Sequence, residues 1–159
     1  MLCRNHYVDD LEVGLGRVIN PDGVGKERTR LTRATVLAIR ELMRQEDTDE
    51  TTRDLAAFVA LTLEAIYGTI DVSVAAWEKR GYWVKADRFR MDWLWTDRLG
   101  RTLRTAVLEE DWPTVALTAA QVAEKLGHVK VPKRHGLGTP WVGAWEKLNE
   151  GGRSNNGQG

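Results

Sequence analysis

The sequence predicts an all-α fold, an antiparallel bundle of four main helices followed by a short C-terminal helix. Two observations carry this prediction. Apolar residues recur at spacings of three and four through most of the chain, and the 4 Pro and 15 Gly residues concentrate at a few places, which leaves long Pro-free blocks between them. Only residues 1–20 offer any β-like pattern, and that segment does not alternate cleanly.

The composition is that of an ordinary globular domain. The chain has 159 residues, 42% of them hydrophobic, and its 23 basic and 23 acidic side chains cancel. A single cysteine, Cys3, excludes an internal disulfide framework and a Cys-rich zinc module. No apolar segment follows the N-terminus as a secretory signal would require, so we expect a cytoplasmic protein.

The first helix is predicted over residues 26–45. Its apolar face has the three-and-four spacing of an amphipathic helix, and arginines mark the opposite side. The polar segment 46–50 then predicts a turn. The apolar positions are Leu31, Ala34, Ala38 and Leu42.

The second helix is predicted to end near Lys79, with Thr51 or Thr52 as its N-cap. Between residues 55 and 77 only Glu64 and Asp71 are charged. A helix that is apolar on nearly all sides belongs at the centre of a fold, and the two acids argue against a membrane span.

The third helix starts near Tyr82, after a possible break at Gly81, and closes at residues 109–111. Its main apolar row follows a 4-3-4-3 pattern, which is typical of helices that pack at about 20°. A second row predicts another neighbour on one side. The main row is Tyr82, Ala86, Phe89, Trp93, Thr96, Gly100, Leu103 and Val107, and the second is Met91, Trp95, Leu99 and Ala106.

The remaining segments complete the predicted organisation. Asp111 before Trp112-Pro113 predicts the start of a fourth helix, which ends at Gly127. A short last helix is predicted from Thr139 to Asn149. We therefore divide the chain into an irregular N-terminal arm (1–25), a bundle domain (26–149) and a disordered tail (150–159).

Two carboxylates in the most apolar helix define a candidate pocket. Glu64 and Asp71 are two turns apart on one face, and buried acids need partners. One interpretation pairs them with basic residues of the third helix; the other places them in an interhelical pocket for acid–base chemistry or cation binding. The candidate pocket comprises Glu64, Asp71, Arg88 and Trp83, and the possible partners are Lys85, Arg88, Arg90 and Arg98.

A Gly-rich loop before the predicted last helix is a candidate anion site, because free N–H groups and the helix dipole favour an anion there. The alternative is ordinary turn chemistry. The residues concerned are His135, Gly136, Gly138 and Thr139. A similar segment, 23–26, precedes the first helix but lacks the pattern of a phosphate-binding loop.

Seven tryptophans are many for this length, and four of them lie between positions 77 and 95. Trp93 and Trp95 should leave a helix about 160° apart, so only one can face the core. Because Trp and Arg are enriched at the centres of interfaces, we regard Trp93, Trp95 and Arg98 as a candidate self-association surface. Tryptophans that simply fill the core are the alternative.

The sequence favours no metal or cofactor. A di-metal bundle needs Glu-x-x-His pairs, and His6, His128 and His135 do not supply them. Cys3 and His6 have no second ligand pair for zinc. Basic residues near tryptophans allow nucleic-acid binding, but the neutral chain disfavours it.

These features lead to three functional hypotheses. The first is a non-catalytic binding protein that forms a homodimer through the Trp- and Arg-rich region of helices two and three. The second is an enzyme or small-anion binder that uses the pocket with Glu64 and Asp71. The third is nucleic-acid binding through basic helix faces; an unknown protein partner is also possible, and no membrane is expected.

Overall fold

The computed structural model describes residues 23–155, and it is an all-α bundle. The predicted arm lies outside the described residues up to position 22, together with the strand-like pattern and Cys3. Residues 156–159 of the predicted tail lie outside them too. The five helices are α1 (Val24–Leu42), α2 (Glu50–Lys79), α3 (Trp83–Leu108), α4 (Trp112–Lys125) and α5 (Ala144–Asn155).

The local signals at the helix ends explain most of these bounds. Asp49, rather than a threonine, caps α2 by accepting a hydrogen bond from the Thr52 amide at 2.9 Å. Gly81 adopts φ +83°, a left-handed conformation that separates α2 from α3. Asp111 caps α4 as predicted, accepting from the Thr114 amide at 3.3 Å.

The last helix differs from its prediction at both ends. A turn occupies residues 140–143, so α5 begins at Ala144 rather than at Thr139. It then continues through two glycines to Asn155, beyond the predicted end at Asn149. Glycine lowers helix propensity without preventing a helix, and the composition of the tail alone therefore misplaced this end.

Helix α2 is the centre of the bundle and packs against α1, α3 and α5. Every residue from Leu55 to Leu63 is buried, which requires neighbours on all sides. Beyond Gly68 the burial becomes one-sided: Ile70 and Val74 are buried, whereas Asp71 is exposed. The predicted central position is thus confirmed for the first half of the helix, and the second half is covered only in part.

The main apolar row of α3 faces α2, as its 4-3-4-3 pattern predicted. Ala86, Thr96, Leu103 and Val107 are buried along it. At Gly100 the two helices come very close, since an added Cβ atom there would lie 3.2 Å from Cβ of Leu63. The small residue therefore sets the spacing between α2 and α3.

Candidate functional site

Glu64 is held in an ion pair inside the bundle. Arg104 of α3 donates from Nη1 to both carboxylate oxygens, at 3.2 and 3.1 Å, and the two side chains are only 13% and 16% exposed. Burial raises the pKa of the Glu64 carboxyl, and Arg104 opposes that shift. The partner comes from α3, as the first interpretation held, but it is none of the four basic residues named for that role.

Asp71 lies apart from Glu64, on the exposed side of α2 beyond Gly68, where only one side of the helix is buried. Partial burial raises the pKa of its carboxyl; Arg90 opposes this effect and the carboxylate of Asp97 adds to it. Neither Glu64 nor Asp71 lines the cleft that contains Trp83 and Arg88. The structure therefore does not bring the four residues of the candidate pocket together.

Trp83 and Arg88 line a cleft where α2 turns into α3. Its volume is about 610 Å³, which lies in the range of small-molecule sites. The lining is mostly aromatic and aliphatic, with two basic residues and one acid: Trp77, Gly81, Tyr82, Trp83, Val84, Lys85, Arg88, Phe89 and Asp92.

A network of aromatic contacts holds the floor of this cleft. The rings of Trp77 and Phe89 meet edge to face, with centroids 4.8 Å apart. Nζ of Lys85 lies 4.5 Å from the centroid of Trp77, a cation–π distance. Because these residues come from the last turn of α2 and the first turns of α3, the turn at Gly81 brings them together.

Arg28 of α1 joins α1 to the second half of α2, and no pattern in the sequence distinguishes it from the other arginines of α1. Its guanidinium donates to Oγ1 of Thr69 at 3.0 Å and to Oγ of Ser73 at 2.6 Å, and it lies 4.9 Å from the Phe89 ring centroid. Loss of solvation lowers the pKa of Arg28. The arginine pattern of α1 predicts a solvent-facing side. Arg28 differs from that pattern because it packs against Thr69, Ser73 and Phe89.

The side of α3 that faces away from α2 carries large exposed apolar residues. Val84 is 77% exposed and Met91 63% exposed. Arg98 is also exposed. The three are spaced by seven residues, so they lie along one line on the helix surface, which we call the outer stripe.

The tryptophans of the candidate interface are arranged differently from the prediction. Trp93 and Trp95 are both half-buried against the core, and their rings stack with centroids 6.4 Å apart and planes 20° from parallel. The expectation that the two rings diverge is wrong, because an indole extends far beyond Cβ and can fold back along the helix. Of the three interface candidates, Arg98 lies on the outer stripe.

The candidate anion loop does not reach a helix N-terminus. Gly136 and Gly138 adopt φ values of +65° and +62° in the connector between α4 and α5. The ring of His135 stabilises that connector, since its Nδ1 accepts a hydrogen bond from the Leu137 amide at 3.1 Å. Thr139 precedes the turn before α5 and is exposed.

The N-terminus of α5 binds a carboxylate from its own chain. Asp54 of α2 accepts hydrogen bonds from the Gly143 amide at 3.1 Å and from the Trp145 amide at 3.0 Å. The sequence predicts an anion near this helix start but does not identify Asp54 as its source. Asp54 is 89 and 91 residues away in the sequence from these donors, so no local pattern could reveal it.

Within residues 23–155, no group of three or more His, Cys, Asp or Glu side chains is arranged to hold a metal ion. Among the described helices, α2 alone is long and apolar enough to cross a membrane, and 78% of its most apolar window is buried within the bundle. Such burial is the pattern of a core helix.

Comparisons with known proteins identify no relative. No protein-family model matches the chain, and neither a curated protein nor a solved structure shows detectable similarity to it.

Proposed function

We propose that the protein is a non-catalytic interaction protein that forms a homodimer through the outer stripe of α3. The exposure of Val84 and Met91 at a spacing of seven residues is the observation that carries this proposal. Apolar residues in that spacing are typical of a helix that pairs with another helix. In the described part of the chain no helix covers either side chain.

The charges beside the stripe favour a second copy of the same chain in antiparallel orientation. Asp87 and Arg98 are three turns apart along α3 but only about 20° apart around it, given about 100° per residue. They cannot pair within one helix. In an antiparallel pair centred on Met91, residue 98 of one copy faces residue 84 of the other, about one turn from Asp87 of that copy. Two equivalent Arg98–Asp87 pairs then form around one twofold axis.

The partners that Asp87 has within its own chain are weak. Its one ion pair among the described residues is with Arg90, at 3.9 Å, and its side chain is 76% exposed. Arg98 forms no ion pair within the described residues. Both charges are thus available to a second copy, which supports the antiparallel arrangement.

Light scattering coupled to size-exclusion chromatography tests the proposal between 5 and 200 µM, as an order-of-magnitude range for weak homodimers. We expect a dimer for the unmodified chain and a monomer for Met91→Asp, which would place a charge at the twofold axis. Asp87→Arg and Arg98→Asp should each weaken association about tenfold, because each replaces two attractive pairs with two repulsive ones.

The double variant Asp87→Arg/Arg98→Asp is the decisive control, since it restores both pairs with the charges exchanged. Recovery of association in this variant would support the antiparallel register. A monomer at every concentration would refute the proposal. A dimer that none of these changes weakens would place the interface elsewhere. Gln121→Asp, at an exposed position of α4 away from the outer stripe, serves as the matched control.

We also infer that the protein works in the cytoplasm. The supporting observations are the burial of most of the apolar window of α2 and the single cysteine of the sequence. Cell fractionation of the tagged chain tests this inference, and recovery in the membrane pellet after a carbonate wash would contradict it.

A further inference from the structure

We propose that the cleft between the end of α2 and the start of α3 binds a small ligand that joins a flat aromatic ring to one anionic group. This site is separate from the proposed dimer contact, although Val84 borders both. The cleft shares Trp83 and Arg88 with the pocket predicted from the sequence, but Glu64 and Asp71 do not line it.

The size and walls of the cleft fit a ring system. A volume of about 610 Å³ accommodates two fused rings with substituents. Trp77 and Phe89 form an ordered edge-to-face floor, and Trp83 stands at the rim with 63% of its surface exposed. A flat ring placed between Trp83 and this floor would gain stacking contacts and cover apolar surface that is now wet.

The cations of the cleft favour an anion on that ring. Lys85 and Arg88 both line it, and neither has a carboxylate partner within 4.0 Å in the described residues. Lys85 instead lies over the ring of Trp77, with Nζ 4.5 Å from the ring centroid. The one acid in the lining is Asp92, so the cleft has an excess of one positive charge.

Two cations beside an aromatic floor favour a ligand with both a ring and an anion over a neutral ring or a bare anion. A neutral ring would bring no negative charge to Lys85 and Arg88, and a bare anion would leave the aromatic surface exposed to water. A ligand with both groups gains from stacking and from charge-assisted hydrogen bonds, for which the planar guanidinium of Arg88 is well suited. We therefore expect the combined ligand to bind more tightly than either part.

Isothermal titration calorimetry with three probes tests this expectation. Naphthalene-2-sulfonate carries ring and anion, 2-naphthalenemethanol carries the ring alone, and methanesulfonate carries the anion alone. We expect a Kd on the order of 100 µM for the first probe, as is reasonable for a ligand of this size. The other two should bind at least tenfold more weakly.

Substitutions locate the site. Arg88→Gln should weaken naphthalene-2-sulfonate about fivefold or more and leave 2-naphthalenemethanol within about twofold, since one charge-assisted hydrogen bond is lost. Trp83→Ala should weaken both ring-bearing probes. Lys125→Gln and Trp112→Phe, which lie outside the cleft, are the matched controls and should change nothing.

Each other outcome overturns the assignment. Absence of saturable binding below about 5 mM refutes the site. Equal affinity for methanesulfonate shows a bare anion site, and equal affinity for 2-naphthalenemethanol shows an apolar groove without charge selection. Insensitivity to both Trp83→Ala and Arg88→Gln places binding elsewhere.

The Met91→Asp variant keeps this test separate from the proposed dimer. Met91 does not line the cleft, so a monomeric Met91→Asp protein should bind naphthalene-2-sulfonate with unchanged affinity. Loss of binding in that variant would place the ligand between two copies and overturn the assignment to the cleft.

Discussion

Replacing Asp54 with alanine should loosen α5 from the rest of the bundle. Asp54 is only 8% exposed, and its carboxylate accepts two backbone hydrogen bonds at the start of α5. Hydrogen bonds to a charged group contribute about 1.5–3 kcal/mol each, and the loss of the buried charge itself returns part of that free energy. We expect the free energy of unfolding to fall by about 2–4 kcal/mol.

Urea denaturation followed by circular dichroism measures the loss in the free energy of unfolding. Hydrogen exchange at the Trp145 amide measures the local opening of the start of α5. Asp111→Ala is the matched control, because Asp111 is an exposed N-cap that serves its own helix. It should cost about 1 kcal/mol, the usual value for an N-cap, and should leave exchange at Trp145 unchanged. A loss in Asp54→Ala no larger than in this control would refute the role of Asp54 in joining α2 to α5.

Three further changes probe the core. Gly100→Leu should lower the free energy of unfolding by about 2 kcal/mol or more, because a Cβ atom there already lies 3.2 Å from Cβ of Leu63. Thr62→Val should cost about 1 kcal/mol by removing a buried hydroxyl that lies 2.8 Å from the hydroxyl of Thr35, and the double Thr35→Val/Thr62→Val variant should cost less than the two single variants added together, since the shared contact is lost only once. Glu27→Gln should stabilise the protein at pH 7. Burial raises the pKa of Glu27, whose Oε1 has no hydrogen-bond partner, so the charged form is the unfavourable one in the fold. The advantage of the Gln variant should shrink as the pH falls through the raised pKa toward the ordinary value of 4.5.

Denaturation at matched ionic strength measures all three changes in stability, and for each prediction one result would contradict it. Thr102→Leu on the exposed side of α3 should be neutral where Gly100→Leu is costly. A Thr double variant whose loss equals the sum of the two single losses would show that the hydroxyls act independently. If the unmodified protein and Glu27→Gln differ in free energy of unfolding by the same amount at pH 7 and at pH 4.5, the carboxyl is not desolvated.

The sequence predicted those features that depend on local patterns. The three-and-four spacing located the four main helices, and the 4-3-4-3 row identified the side of α3 that meets α2. The nearly uncharged run from residue 55 to residue 77 also indicated the central helix, and this is confirmed for Leu55–Leu63, where every residue is buried.

The sequence did not predict features that depend on contacts between residues far apart in the chain. Arg104 pairs with Glu64 across 40 positions of sequence, and other basic residues of α3 were equally plausible partners. Asp54 binds the start of α5 through donors 89 and 91 positions away in the sequence. The stacking of Trp93 on Trp95 depends on side-chain torsions that no residue spacing fixes.

The position of α5 has a consequence for synthesis of the chain on the ribosome. The apolar first half of α2 is translated early, yet one of its covering helices is made only when residues 144–155 emerge. At about 5–20 residues per second, this surface stays incompletely covered for roughly 5–20 s. A nascent chain in that interval is a natural client for holding chaperones, and slowing translation after α4 should increase its aggregation.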